Sequence, residues 1–237
     1  MKRMILGLLT AAALVSQAGA AMAQGRSGKE DYADEHHRND CRLAHQVLTD
    51  GHPADRHEWA LETAPSCGAL GGAALAAVLL AHHGDDTAGD ELEVLVGASV
   101  RLRDAALFAA GLQLAGDAAA GGAARVAGWQ VVHAQLTGTY PASAEGVEDA
   151  GQASSTLISA PAVRGVPLPA DHGAVAREVA DRVVAIPDTP PAVKELAEDL
   201  LATLDLDDQV LRVCGPGASI GDQACSDAVA ADGEANP

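Results

Sequence analysis

The sequence predicts an all-α protein: antiparallel helical hairpins stacked as a short irregular solenoid or bundle, stapled by disulfides. Three observations carry this. Apolar residues make up 48% of the 237-residue chain but aromatics only 2%. The apolar share is mostly Ala, Leu and Val, and Ala is the best helix former, while strand-favouring Ile, Phe and Tyr are scarce. Apolar positions also recur at three- and four-residue steps between Gly, Pro and capping residues.

Residues 1–23 read as a secretory signal peptide. Lys2 and Arg3 precede a twelve-residue apolar run over 4–15, broken only by Gly7 and Thr10. Ala21-Met22-Ala23 then forms an A-x-A cleavage site. The run is too short for a spanning helix, which needs about 20 residues. No cysteine follows it, so a lipid anchor is not expected. The mature chain is expected to begin at Gln24, with cleavage after Ala20 as the alternative. It is expected to fold outside the cytoplasm, in the periplasm or beyond the cell, with no stable membrane insertion.

Residues 24–40 are charged and almost free of apolar side chains, and read as a flexible leader turning helical at its end. Asp40 can cap a helix over 41–49, with Leu43, Val47 and Leu48 on one side. Gly51-His52-Pro53 stops it. Pro53 precedes a second helix carrying Trp59 and Leu61, and Pro65 ends that one. A third, over 73–82, is apolar nearly all round and is expected at the centre. Gly84-Asp85-Asp86 turns the chain, and Thr87 or Asp90 can cap a fourth helix through Leu92, Leu95 and Val96. A fifth is expected over 101–115, with Leu107, Ala110 and Leu114 on one face. A sixth over 122–136 repeats Val126, Trp129, Val132 and Leu136. Together these make a helical domain over 41–137.

Residues 138–170 hold four glycines and Pro141, Pro161, Pro167 and Pro169. They read as a linker or loop, and such length argues for a domain boundary. A C-terminal helical hairpin over 171–227 comes next. Asp171 is expected to cap its first helix, with Val175, Ala176, Val179, Ala180, Val183 and Val184 on one face. Ile186-Pro187 ends it. Thr189 is expected to cap the second helix, opened by Pro190-Pro191, with Val193, Leu196, Ala197, Leu200, Leu201 and Leu204 as its stripe. Residues 228–237 read as a disordered tail.

The cysteines are Cys41, Cys67, Cys214 and Cys225. An even number in an exported chain predicts disulfides. Of three pairings, the sequential one, Cys41–Cys67 and Cys214–Cys225, closes the shortest loops. Each bridge is worth about 3 kcal/mol through the unfolded state. The spacings fit no common zinc pattern.

Ala73-Ala74-Leu75-Ala76-Ala77-Val78-Leu79-Leu80 is answered 32 residues later by Ala105-Ala106-Leu107-Phe108-Ala109-Ala110-Gly111-Leu112. Arg103 and Arg125 each stand just before an apolar helix. Two helices per unit at such a period is how helical solenoids are written. Over about 41–136 the chain resembles the HEAT and armadillo repeats, and small secreted bacterial proteins with degenerate HEAT-like units. That resemblance implies a protein-binding scaffold and brings no catalytic residues.

The formal charge is −18, and loss of Lys2 and Arg3 takes it two units lower. Nucleic acid is a poor partner for such a surface. Cations or a basic protein surface suit it better. His36 and His37, among Asp31, Asp34, Glu35 and Asp40, are candidate ligands for a divalent cation, although a solvated leader explains them as well. His82-His83 before Asp85-Asp86 form a second candidate, equally explained by the preference of a helix C-terminus for cations. Trp59 and Trp129 are interface anchors if exposed and core anchors if not. No nucleophile elbow, H-E-x-x-H or Walker loop occurs, and no cofactor is expected. The sequence therefore reads as an exported, non-enzymatic interaction scaffold with an unknown protein partner. The alternative is an acidic cation-binding envelope protein. A weaker third is an enzyme with its site in 137–170.

Overall fold

The computed structural model describes residues 28–51, 53–87, 89–139, 163–215 and 223–235. The expected signal peptide over 1–23, the first residues of the expected leader and most of the expected linker lie outside them. The chain divides into two units, Met1–His36 and His37–Pro237. Of the first, only the start of one helix is described. The second holds the core and every other element.

The described residues form an all-α fold. The helices are α1 (Gly28–Asp50), α2 (His57–Thr63), α3 (Ala69–Ala81), α4 (Asp90–Arg101), α5 (Ala105–Gly116), α6 (Gly122–Thr137), α7 (His172–Ala185), α8 (Pro191–Cys214) and α9 (Gln223–Ala235). Short 3-10 turns over Ala54–Arg56 and Ala64–Cys67 flank α2. Two-residue strands β1 (Leu102–Arg103) and β2 (Val163–Arg164) pair in parallel, Leu102 opposite Val163 and Arg103 opposite Arg164.

Several boundaries differ from expectation. Asp40 lies inside α1 rather than capping it, because the charged residues before it are good helix formers. The fifth helix starts at Ala105, not 101, since Leu102 and Arg103 are extended and Asp104 caps it. Thr189 does not cap α8. Pro190 holds that place, and the Thr189 hydroxyl donates to the Val183 carbonyl at the end of α7 (2.8 Å). Gly89 and Asp171 stand at the starts of α4 and α7 without side-chain caps. A helix, α9, runs through Ala235 where a disordered tail is expected.

Both disulfides take the sequential pairing, with Cα–Cα distances of 5.3 Å for Cys41–Cys67 and 5.6 Å for Cys214–Cys225. The first ties α1 to the turn after α2. The second ties α8 to α9, where Val210, Cys225 and Val229 form a small local cluster.

The core has two main parts. One gathers Val47, Leu61, Leu75, Leu79, Leu95, Leu107 and Val131 from α1 through α6. α3 is central there, with Ala74, Leu75 and Leu79 fully covered, as its all-round apolar sequence predicts. The other joins Phe108, Trp129 and Val132 of α5 and α6 to Ala176, Ala180, Val183, Val193, Ala197 and Leu200 of α7 and α8. The helical pair beyond the expected linker therefore shares a core with α5 and α6. Glycine makes the α5–α6 approach close: a Cβ on Gly128 would fall 2.8 Å from the Gly111 carbonyl oxygen.

Asp104 locks β1, β2 and α5 together. It is fully buried. One carboxylate oxygen accepts from the Ala106 and Leu107 amides (2.8 and 3.4 Å), the other from the Val166 amide (2.6 Å). Its own amide donates to Gln135 Oε1, and Gln135 Nε2 donates to the Ser99 and Leu102 carbonyls. Side chains at Gly72 and Gly165 would collide with this carboxylate, so both positions need glycine.

Candidate functional site

Three constellations combine polar groups with a groove, a cleft or burial. The first is a groove of about 380 Å³ beside the Cys41–Cys67 bond. α1 supplies His37, Arg38, Cys41 and Arg42, whose spacing puts them on one face. The turn after α2 supplies Ser66 and Cys67, and the first turn of α3 supplies Leu70. Gly68, with φ at 56°, makes the sharp entry into α3. Leu70 is 44% exposed. His37 Nε2 lies 3.3 Å from the Ser66 carbonyl, and Arg42 donates to Asn39 Oδ1 at 2.8 Å. Among the described residues no carboxylate lines the groove, although acids outnumber bases in the chain 33 to 15. Its chemistry is an apolar wall beside guanidinium groups.

The second constellation surrounds the end of α3. His57 Nε2 and Glu91 Oε1 are 2.6 Å apart, linking α2 to α4. His82 faces the same carboxylate at 3.7 Å and holds Asp85 at 2.7 Å. His57, His82 and Glu91 border a cleft of about 310 Å³ with Leu48, Ala77 and Val78. His83 meets Asp117 at 3.0 Å. The pairing with His83, with help from the Ala119 amide, holds the Asp117 carboxyl below the usual carboxylate range. The arrangement braces helix ends. Among the described residues, no group of three or more His, Cys, Asp or Glu side chains is placed to hold a metal ion. His36 and His37 are exposed at the start of the described chain. His37 lines the groove.

The third runs along α6. Arg125, Trp129 and His133 stand at four-residue steps and are 5%, 1% and 7% exposed. Arg125 Nε and Trp129 Nε1 have no hydrogen-bond partner among the described residues. Burial pulls the Arg125 guanidinium down from its ordinary value, and Asp117 only partly offsets this. His133 Nε2 lies 3.1 Å from Asp199 of α8 without the alignment of a hydrogen bond. Burial pushes the His133 imidazole down, against the pull of Asp199.

That direction sets a pH dependence. An imidazole whose folded value lies below its unfolded one takes up a proton first in the unfolded chain. The stability contribution is full above the ordinary imidazole value and is lost as pH falls from there through the lower folded value. We expect the urea midpoint to drop between about pH 7 and about pH 5, and to drop less in His133→Gln. Parallel profiles for the two proteins would refute the assignment.

Trp129 is a core residue and Trp59 a half-buried one packed on the α1–α6 core, so neither is an exposed anchor. The sequence by itself singles out neither the groove nor Arg125. Its one signal for the groove is Arg38 and Arg42 one turn apart beside Cys41. For Arg125 there is none, because an Arg at a helix start is ordinarily solvated. No protein family, no curated protein and no solved structure matches the chain. Function must therefore be read from the geometry of these residues.

Proposed function

We propose that this is an exported, non-enzymatic helical scaffold in the bacterial envelope or outside the cell, and that it holds a partner protein in the groove beside Cys41–Cys67. The observation that carries the reading is the groove's lining: an exposed Leu70 with Arg38 and Arg42, on a chain whose charge is otherwise strongly negative. Such a surface suits a partner segment bearing an apolar side chain next to a carboxylate. Arg is enriched at interfaces, and an apolar anchor supplies the desolvated centre. Two structural disulfides are the chemistry of an oxidising compartment. Among the described residues, no helix is long and apolar enough to cross a membrane.

The test is site-specific photocrosslinking in cells. A photoreactive residue at Leu70 is expected to yield one reproducible adduct that Arg42→Glu abolishes. The same residue at Arg182, exposed on α7, is expected to yield none. Identical products from both positions, or none from Leu70 at good crosslinking efficiency, would overturn the reading. The cation-binding alternative gains no support from the arrangement of the histidines.

A further inference from the structure

We propose that Arg125 and Trp129 of α6 form a binding site for an oxyanion, the carboxylate or phosphate group of a small ligand. This site stands apart from the groove and does not depend on it.

Both side chains are donors short of an acceptor. A guanidinium is always charged and carries only donors, and an indole N–H is likewise a donor only. Arg125 is 5% exposed and Trp129 is 1% exposed. Arg125 Nε and Trp129 Nε1 are buried without a hydrogen-bond partner among the described residues. Buried polar groups in folded proteins are nearly always paired, and an orphan points to a function or to an absent ion or water. A buried charge without a partner is the costlier case. Positions four apart on a helix are neighbours on its surface. Arg125 and Trp129 therefore sit on one face of α6.

The surrounding groups narrow the ligand. Asp117 is the carboxylate that acts on Arg125, and it does so only through space. Its oxygens are taken by His83 at 3.0 Å and by the Ala119 amide at 2.8 Å. The start of α6 is also occupied: Gly122 donates to Asp86 Oδ1 and Ala124 to the Asp85 carbonyl. The donors left to a ligand are those of the two side chains. Water would accept from both, yet it would leave the partial offset by Asp117 as the counterweight to the buried charge. An oxyanion supplies acceptors and charge together. With Asp85, Asp86 and Asp117 on adjoining turns, a group of single charge suits the site better than a multiply charged one.

Trp129 is one of two tryptophans, so the site carries its own reporter. In full-length Trp59→Phe protein, Trp129 emission is titrated with acetate, with inorganic phosphate, and with chloride at matched ionic strength. A saturable change with acetate or phosphate, absent with chloride, is expected. The stronger of the two identifies the ligand class. Arg125→Gln is expected to weaken that binding about tenfold or more, the scale of one charged hydrogen bond. Should Arg125→Gln not fold, hydrogen exchange of wild-type α6 replaces it, with slower exchange around residues 125–129 expected when the anion is present. A response equal to that of chloride would overturn the proposal. So would binding that Arg125→Gln leaves intact, or unchanged exchange in wild-type α6.

Discussion

Asp104→Ala is expected to destabilise the protein by about 4 kcal/mol, the largest effect of any single polar substitution among the described residues. The carboxylate accepts from the Ala106, Leu107 and Val166 amides and is fully buried. Removing it orphans the first amides of α5 and the amide that holds the segment after β2. Loss of a helix cap costs about 1 kcal/mol, and each buried unpaired donor costs about 1–3 kcal/mol. The cost of burying a charge, now removed, returns part of this. Asp104→Asn is expected to fall between: its oxygen can still cap α5, but its NH2 cannot accept from Val166. Urea unfolding measures both, and hydrogen exchange at Gly165 and Val166 reports release of the strand segment. A loss below about 1 kcal/mol for the alanine variant would refute the assigned role.

The second large effect concerns the bridges. Removing Cys41–Cys67 by paired serine substitution is expected to cost more than removing Cys214–Cys225. The sequence separations are 26 and 11. Chain entropy alone then assigns about 3.5 and about 2.8 kcal/mol. Packing widens the gap. Cys41 is 5% exposed, and its partner Cys67 ends the turn whose Ala64 belongs to the main core. Cys225 packs within the small cluster of Val210 and Val229. Losing the first bridge frees α1 from the core it covers, whereas losing the second frees α9. Melting curves of the two double variants, with and without reductant, decide it. Equal or reversed effects would overturn this ranking.

Much of the helical layout is legible in the sequence. The stripe of Val193, Leu196, Ala197 and Leu200 predicts the buried face of α8, and Pro190-Pro191 its start, because both signals are local. The cap at Asp104 is hidden because what places it is not local. Leu102 continues the apolar steps of Leu95 and Ala98, and it leaves the helix where it pairs with β2. The expected linker hides its role in a similar way. Near its end Val163 and Arg164 pair with Leu102 and Arg103, a partner too distant in the chain for any local signal to show. Of the candidate sites, the histidines are visible as residues but not as pairs, since His57 meets Glu91 across 34 positions.

What the sequence by itself determined is the all-α class, the order of most helices and the pairing of the cysteines. Helix propensity, apolar period and loop closure act over short stretches, and each is written within a few turns of chain. Only the tertiary structure decided where α7 and α8 pack, which glycines face Asp104, and that Arg125 and Trp129 are buried with donors left unpaired. Those facts depend on which distant surfaces meet, and burial of a polar group is a property of its neighbours in space.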